Sequence, residues 1–399
     1  MRKSSIIILM CLLLTGCRDS AEIDSRAYPV AMAVDIGEKE KFEIALQFSA
    51  RGDKGKDDSK NKNTVITAEG DNIFEAYEKL DDITGKKLSA SQLNALIISD
   101  EFAKKEGIKD VVFELVNAHR GFKNMFVVLS NGSAVEYLDK QEIWLENTPS
   151  KFYSIFLENS LDTFYQAKKI SEIAFSMLSD NEEIVIPYIS FVKSQTEDES
   201  KSEDVKKTEE NKQKFRADDV EAMSPQKSEL NKLGVFKGGK LISELEDEDI
   251  IAYGLLRGEY TDGYISVPMG DGSYVNLTVQ NRERNRVKVN IDGDTPRIDI
   301  SFNVRVIHMD SETASNYDYN AKNINNKSKA YVEKICRSLL HRSVKEFDAD
   351  IFGFASPARR NFLLEQDFTA YKWREKYKNS KFNVYIKIKN YNNHVPFEV

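Results

Sequence analysis

The chain has 399 residues, of which 41% are apolar and 31% charged, and a formal charge of −8. That length can bury two or three cores at about 100–200 residues each. The acidic balance excludes nucleic acid as a partner, since no basic stripe exists to displace phosphate counterions, and it argues against a polybasic membrane contact.

Arg2 and Lys3 open the chain, and Ile6 to Leu14 follow almost without a polar side chain. This is the layout of an export signal. A spanning helix needs about 20 apolar residues, which the run does not supply. It ends in Leu14-Thr15-Gly16-Cys17, which resembles the lipobox of bacterial lipoproteins. The resemblance implies cleavage before Cys17 and a diacylglyceryl group on its thiol, and two acyl chains suffice for stable anchoring where one is marginal. The competing reading is an ordinary secretory signal with a chance cysteine. Residues 1–16 are thus expected to be the signal and 17–26 a lipidated tether. With Cys11 removed and Cys17 acylated, Cys336 is the remaining thiol. Its spacing with Val332, Ile335, Leu339 and Leu340 favours a buried core position over intermolecular pairing.

Beyond the tether, Val30, Met32 and Val34 alternate, then Phe42, Ile44, Leu46 and Phe48, which predicts two strands joined across Gly37. Arg51 to Asn63 is almost wholly Gly, Lys, Asp, Ser and Asn, a loop composition. Asp71 is placed to cap a helix carrying Ile73, Phe74, Tyr77 and Leu80, with Gly85 after its end. Leu93 to Ile98 suits a buried strand, Glu101 to His119 is helical in pattern, and Met125 to Leu129 is a further strand. Helices are expected between Ala134 and Ser179, then a strand from Glu183 to Val192. This alternation predicts a mixed α/β domain over residues 27–193.

Residues 194–228 are dense in Lys, Glu, Asp, Ser and Gln with both signs interspersed, the composition of a solvated linker or insertion. Residues 229–399 begin with a strand and tight turn, Leu233 to Leu241, and then a helix for which Ser243 and Glu246 make a capping box. Three alternating stretches follow, through Val275 to Val279, Val287 to Ile291 and Ile298 to Val306. Helices over Ile324 to Phe347 and Phe362 to Tyr377 can cover that meander before a last strand through Val384, Ile386 and Ile388. The fold class is α+β: a mixed α/β N-terminal domain, then an antiparallel sheet with helices, divisible into two subdomains.

No constellation for chemistry emerges. Gly234 to Leu241 comes within one residue of a phosphate-binding loop, but Leu241 stands where Ser or Thr must ligate magnesium, and the glycines fit a hairpin turn. His119, His308, His341 and His394 are scattered without zinc spacing. No nucleophile elbow is present. The acidic cluster Glu244 to Asp249 suits a helix N-terminus, and Asp348 with Asp350 suits a helix-to-strand junction. No catalytic, cofactor or metal residues are assigned, and the chain reads as a non-enzyme with no cofactor.

Several landmarks together resemble the Ger(x)C family, the lipoprotein C subunits of spore germinant receptors. They are Gly16-Cys17-Arg18-Asp19 with Glu22-Ile23; Lys87-Leu88 with Leu93 to Glu101 and Gly107-Ile108; and Leu233 to Lys237 with Lys240-Leu241. The most specific is Asp350-Ile351-Phe352-Gly353-Phe354, followed by Trp373, Tyr377 and the Val384-Ile386-Ile388 strand. Arg18 stands where the family usually has Trp, and Ala355 where Gly is common. Without the family, Phe352, Phe354 and Trp373 read as apolar anchors of a core. The resemblance implies a receptor with a membrane-spanning A subunit and a transporter-like B subunit, in the spore inner membrane. The chain would serve assembly or signalling on the outer face, with direct germinant binding assigned elsewhere. The alternatives are a solute-binding lipoprotein of an importer, which needs two similar lobes around a cleft, and an envelope hydrolase.

Overall fold

A computed structural model of the protein describes residues 25–49, 64–118, 121–141, 149–159, 164–179, 182–191, 228–270, 272–281, 283–311 and 321–390. The expected signal and lipobox, the expected loop from Arg51 to Asn63, nearly all of the charged 194–228 stretch, His119 and His394 lie outside the described residues.

In chain order the N-terminal part contains β1 (Arg26–Ala27), β2 (Pro29–Ile36), β3 (Phe42–Phe48), β4 (Thr64–Gly70), α1 (Ile73–Thr84), β5 (Lys87–Leu88), β6 (Ala95–Ser99), α2 (Asp100–Lys105), α3 (Lys109–Asn117), β7 (Phe126–Ser130), α4 (Ala134–Lys140), α5 (Pro149–Asn159), α6 (Ile170–Ser179) and β8 (Val185–Phe191). After the charged stretch come β9 (Ser228–Glu229), β10 (Leu233–Lys237), β11 (Lys240–Leu245), α7 (Glu248–Arg257), β12 (Asp262–Pro268), β13 (Tyr274–Gln280), β14 (Arg286–Asn290) and β15 (Arg297–Ser311). The chain closes with α8 (Ala321–Lys345), α9 (Ala355–Arg359), α10 (Glu365–Tyr371), α11 (Trp373–Tyr377) and β16 (Lys381–Asn390).

The first sheet has nine strands in the order β11-β10-β8-β7-β6-β2-β3-β4, with β9 also on β8. Its centre, β2, β6, β7 and β8, is parallel, and β3 and β10 join antiparallel on either side. Side chains alternate across it. Met32, Val34, Leu96, Ile98, Val127 and Leu129 face α1, α2, α3 and α6. Ala31, Ala33, Ala95, Ile97 and Val128 face α4 and α5 and run into the core of the C-terminal part. Burial on both faces is why these strands read as continuous apolar runs. The β10–β11 hairpin turns on Gly238 and Gly239 at φ 59° and 85°, the paired positive φ of a two-residue hairpin turn that glycine adopts without strain. It follows the charged stretch in sequence, yet it pairs with β8 through Leu233↔Pro187 and so extends the first sheet.

The second sheet runs β12-β13-β15-β14, all antiparallel, with β16 added on β15. The 25-residue α8 packs on it through Val332, Ile335, Cys336, Leu339 and Leu340, all at most 2% exposed. The α+β class holds. Within it, β16 lies parallel to β15 from Arg297↔Lys381 to Val306↔Asn390, because the crossover through α8 returns the chain in the same direction. Cys336 is a free, fully buried thiol, and burial pushes its pKa up.

Three local expectations are revised. Asn72 caps α1, its Oδ1 accepting from Glu75 N at 2.9 Å, while Glu75 accepts from Asp71 N at 3.1 Å. Ser243 pairs with Val235 in β11, so no capping box forms with Glu246, and α7 begins after Asp247. The last predicted helix is two short ones separated at Lys372, which has φ 56°.

Candidate functional site

The expected site residues Leu14, Thr15, Gly16 and Cys17 precede the described chain, so the structure brings none of them together. It does define the first contacts of the described body, where the expected tether would end. Arg26 and Ala27 pair in parallel with Lys87 and Leu88, and Ser89 N donates to Ala27 O at 2.9 Å.

In folds with a parallel sheet, ligands collect beyond the carboxyl ends of the strands, where helix N-termini supply free N–H groups. Here that edge is largely occupied by the chain itself. Asp35, near the end of β2 and 6% exposed, accepts from Ser133 Oγ at 2.7 Å, Ala134 N at 3.1 Å and Val135 N at 2.9 Å. Its carboxylate fills the anion position at the start of α4. Alongside, Gly132 N donates to Asp100 Oδ1 at 3.2 Å. A cleft of about 460 Å³ remains past β7 and β8, lined by Tyr137, Lys140, Ser190, Glu229 and Lys232 among others. Its charges are of both signs, and Lys232 is paired with Glu244 at 3.3 Å and Glu246 at 2.8 Å.

The other feature is the junction around Asp350. This carboxylate is buried and accepts from Phe352 N (3.3 Å), Phe354 N (3.1 Å), Ala355 N (2.8 Å) and Trp373 Nε1 (2.9 Å). Burial pushes its pKa up to about 6 against the downward pull of those four donors. The segment lies between α8 and α9, so the expected helix-to-strand junction is a helix-to-helix one. Phe352 and Phe354 stack with ring centroids 5.2 Å apart, and with Trp373 they belong to the core, as their apolar character suggested.

The same loop ties the two sheets together. Glu183 N, just before β8, donates to Asp350 O at 2.8 Å, and Glu183 Oε2 accepts from Gly238 N at 3.0 Å. Lys237 pairs with Asp348 at 2.7 Å. Glu182 pairs with Arg257 of α7 and with Lys168 at 3.3 Å, and accepts from Ser176 Oγ at 3.0 Å. Burial alone would raise the Glu182 carboxyl, but the two cations hold it below its ordinary value. Gly353, at φ 74°, passes so close that a Cβ there would meet Glu182 Oε2 at 2.9 Å.

Carboxylates flagged in the sequence are structurally engaged. Glu244 accepts from Tyr188 OH at 3.0 Å, Asp249 pairs with Arg342, and Glu248 accepts from Tyr331 OH at 3.1 Å. His308 lies in β15 and His341 is exposed on α8. Among the described residues no group of three or more His, Cys, Asp or Glu is arranged to hold a metal ion. None of the described helices is long and apolar enough to cross a membrane. Sequence reasoning missed Asp35 and the buried Gln47, whose Oε1 accepts from Tyr153 OH at 3.0 Å. The available signal was a polar side chain inside an otherwise apolar strand.

Comparison with known proteins matches the two halves of this architecture. The family model described as the spore germination protein N-terminal domain matches residues 19–191, and that described as spore germination B3/GerAC-like, C-terminal, matches residues 231–391. YfkR of Bacillus subtilis (strain 168), a putative spore germination protein by name, is 21% identical over 96% of this chain and 94% of its own length. The spore germination protein GerQC of Bacillus cereus is 20% identical over 98% of both chains. The crystal structure of the GerBC protein shares the fold, with a TM-score of 0.55 at 12% identity over 90% of this chain and 97% of that one. The β10–β11 hairpin falls within the second matched span but hydrogen-bonds into the first sheet, so the two parts interlock through it. From residue 19 to residue 391, interrupted only around the charged stretch, the chain belongs to the Ger(x)C family of spore germination proteins.

Proposed function

We propose that this protein is the C subunit of a germinant receptor, a lipoprotein held by Cys17 on the outer face of the spore inner membrane. It acts there through contacts with membrane-spanning A and B subunits, and not through chemistry or ligand capture of its own. The observation that carries the reading is the conjunction of family and leader. The family match begins at residue 19, two residues after a cysteine that closes a lipobox-like run.

Physical features of the fold support it. Nine residues lead from Cys17 to Arg26. Even fully extended they span at most about 30 Å, so an acyl anchor would keep the body against the bilayer. An importer's binding protein works by moving two similar lobes about a cleft. Here the two sheets differ in size and topology, and one apolar cluster runs from Val128, Val185 and Leu233 into Tyr253, Ile265 and Ile298. A hydrolase needs a convergent set of reactive groups, and the described carboxylates discussed above are spent on caps and ion pairs. The place where a parallel sheet would hold a small anion is filled by Asp35.

The test is germination of spores carrying Cys17→Ala. Nutrient-triggered germination should be lost while a non-nutrient route survives. Normal nutrient response in spores whose Cys17→Ala protein is soluble would overturn the proposal. Calorimetry of the mature chain with candidate nutrients should give no micromolar binding.

A further inference from the structure

The tether leaves the body beside a small basic patch with an exposed apolar residue. Arg26 of β1 and Lys87 of β5 are in register in a parallel pair, which places them as neighbours on one side of the two-stranded ribbon, and both are exposed. Lys86 precedes Lys87 and is exposed as well. Ile83, in the last turn of α1, is 65% exposed, and Gly85 in the left-handed conformation turns the chain from it into Lys86. Among the described residues none of the three cations is in an ion pair. Asp81 is turned inward onto Leu88 N at 2.5 Å, which leaves Asp82 as the exposed acid of that turn.

Like charges in register repel unless something anionic lies against them. The ribbon carries them at the one edge that nine residues of chain connect to the lipidated cysteine. We infer that the β1–β5 ribbon and the end of α1 form the face the protein lays on the membrane, with Arg26, Lys86 and Lys87 on anionic lipid phosphates and Ile83 at the headgroup boundary. This inference rests on the Cys17 anchor proposed above. A lipid surface suits the patch better than a protein groove, because the patch surrounds the exit of the tether, and nine residues of chain keep that edge within about 30 Å of the bilayer. The interaction is local and leaves the acidic remainder of the chain facing away. Each cation near an anionic surface contributes about fivefold to the population of the bound orientation, and three contribute ~100-fold.

The experiment uses the mature lipidated protein carrying Ile83→Cys, labelled at that position with an environment-sensitive fluorophore, on vesicles of phosphatidylcholine with or without phosphatidylglycerol. Labelling is selective because Cys336 is fully buried, Cys11 leaves with the signal and the acyl group blocks Cys17. Mass spectrometry of the N-terminal peptide reports the acyl chains independently. With phosphatidylglycerol present, the fluorophore of the Ile83→Cys protein should be shielded and quenched by a headgroup quencher, whereas a label at Leu363→Cys should not. Lys86→Glu with Lys87→Glu removes two cations and adds two anions, so it should reduce the ratio of shielded to unshielded protein by more than about 25-fold, and raised salt should act in the same direction. Acylated, vesicle-bound Ile83→Cys protein whose fluorophore ignores lipid charge and the two Lys→Glu changes overturns this face and leaves the anchor standing. That outcome is also expected if Asp19, Glu22 and Asp24 of the tether, and not lipid, neutralise the patch. Absence of acyl chains overturns the anchor and this inference together.

Discussion

Replacing Asp35 by alanine removes the acceptor shared by Ser133 Oγ, Ala134 N and Val135 N at the start of α4. Two main-chain N–H groups left without an acceptor cost about 1–3 kcal/mol each, and the lost interaction of a carboxylate with the helix N-terminus adds ~0.5 kcal/mol. Asp35→Ala should therefore be destabilised by about 3–5 kcal/mol, and Asp35→Asn, which keeps one acceptor, by about 1–2 kcal/mol. The vacancy left by alanine has the size and polarity of a formate ion. Chemical denaturation in formate and in chloride at equal ionic strength tests this. Formate at ten times its dissociation constant should return about 1.4 kcal/mol to Asp35→Ala, and nothing beyond the chloride effect to the parent protein. If Asp35→Ala matches the parent in stability, or formate and chloride act alike on it, the carboxylate is not plugging an anion site.

Asp350 gives a pH signature. Its folded pKa, raised from 3.8 to about 6, means the folded state holds the proton more tightly. Its contribution is thus fully present below pH 4 and lost as pH rises through 6, a fall of roughly 3 kcal/mol. Asp350→Asn should abolish that slope in urea titrations across the window. Gly353→Ala combines a left-handed backbone with a Cβ 2.9 Å from Glu182 Oε2 and should cost about 2–4 kcal/mol in thermal or chemical denaturation. Cys336 should stay unmodified by maleimide in the native protein and react in denaturant, because burial both hides it and keeps it protonated.

Much of the fold was legible because its signals are local. Leu96 to Ile98 and Val127 to Leu129 announce strands buried on both faces, and Gly238-Gly239 between Phe236 and Leu241 announces a hairpin. Which sheet that hairpin joins depends on Leu233 meeting Pro187 across the charged stretch, and no local pattern encodes it. Ser243 and Glu246 have the spacing of a capping box, but strand pairing with Val235 competes for the same backbone and wins. The direction of β16 follows from a crossover, not from its own alternation. Asp35 and Asp350 show the same divide at the level of sites. The Asp350 motif stood out by resemblance, yet its role as acceptor for Trp373 Nε1 comes from the fold, and Asp35 meets partners about a hundred residues away. The lipobox resemblance is legible in the sequence alone, since the processing it implies would act before and outside the folded body.

The most direct measurement for the receptor-subunit account is metabolic labelling with a fatty acid during sporulation, followed by isolation of spore inner membranes from parent and Cys17→Ala strains. Label should appear on the mature parent protein, which should be recovered in the membrane fraction, and both should be lost on substitution. An unlabelled parent protein that washes free of the membrane would contradict it.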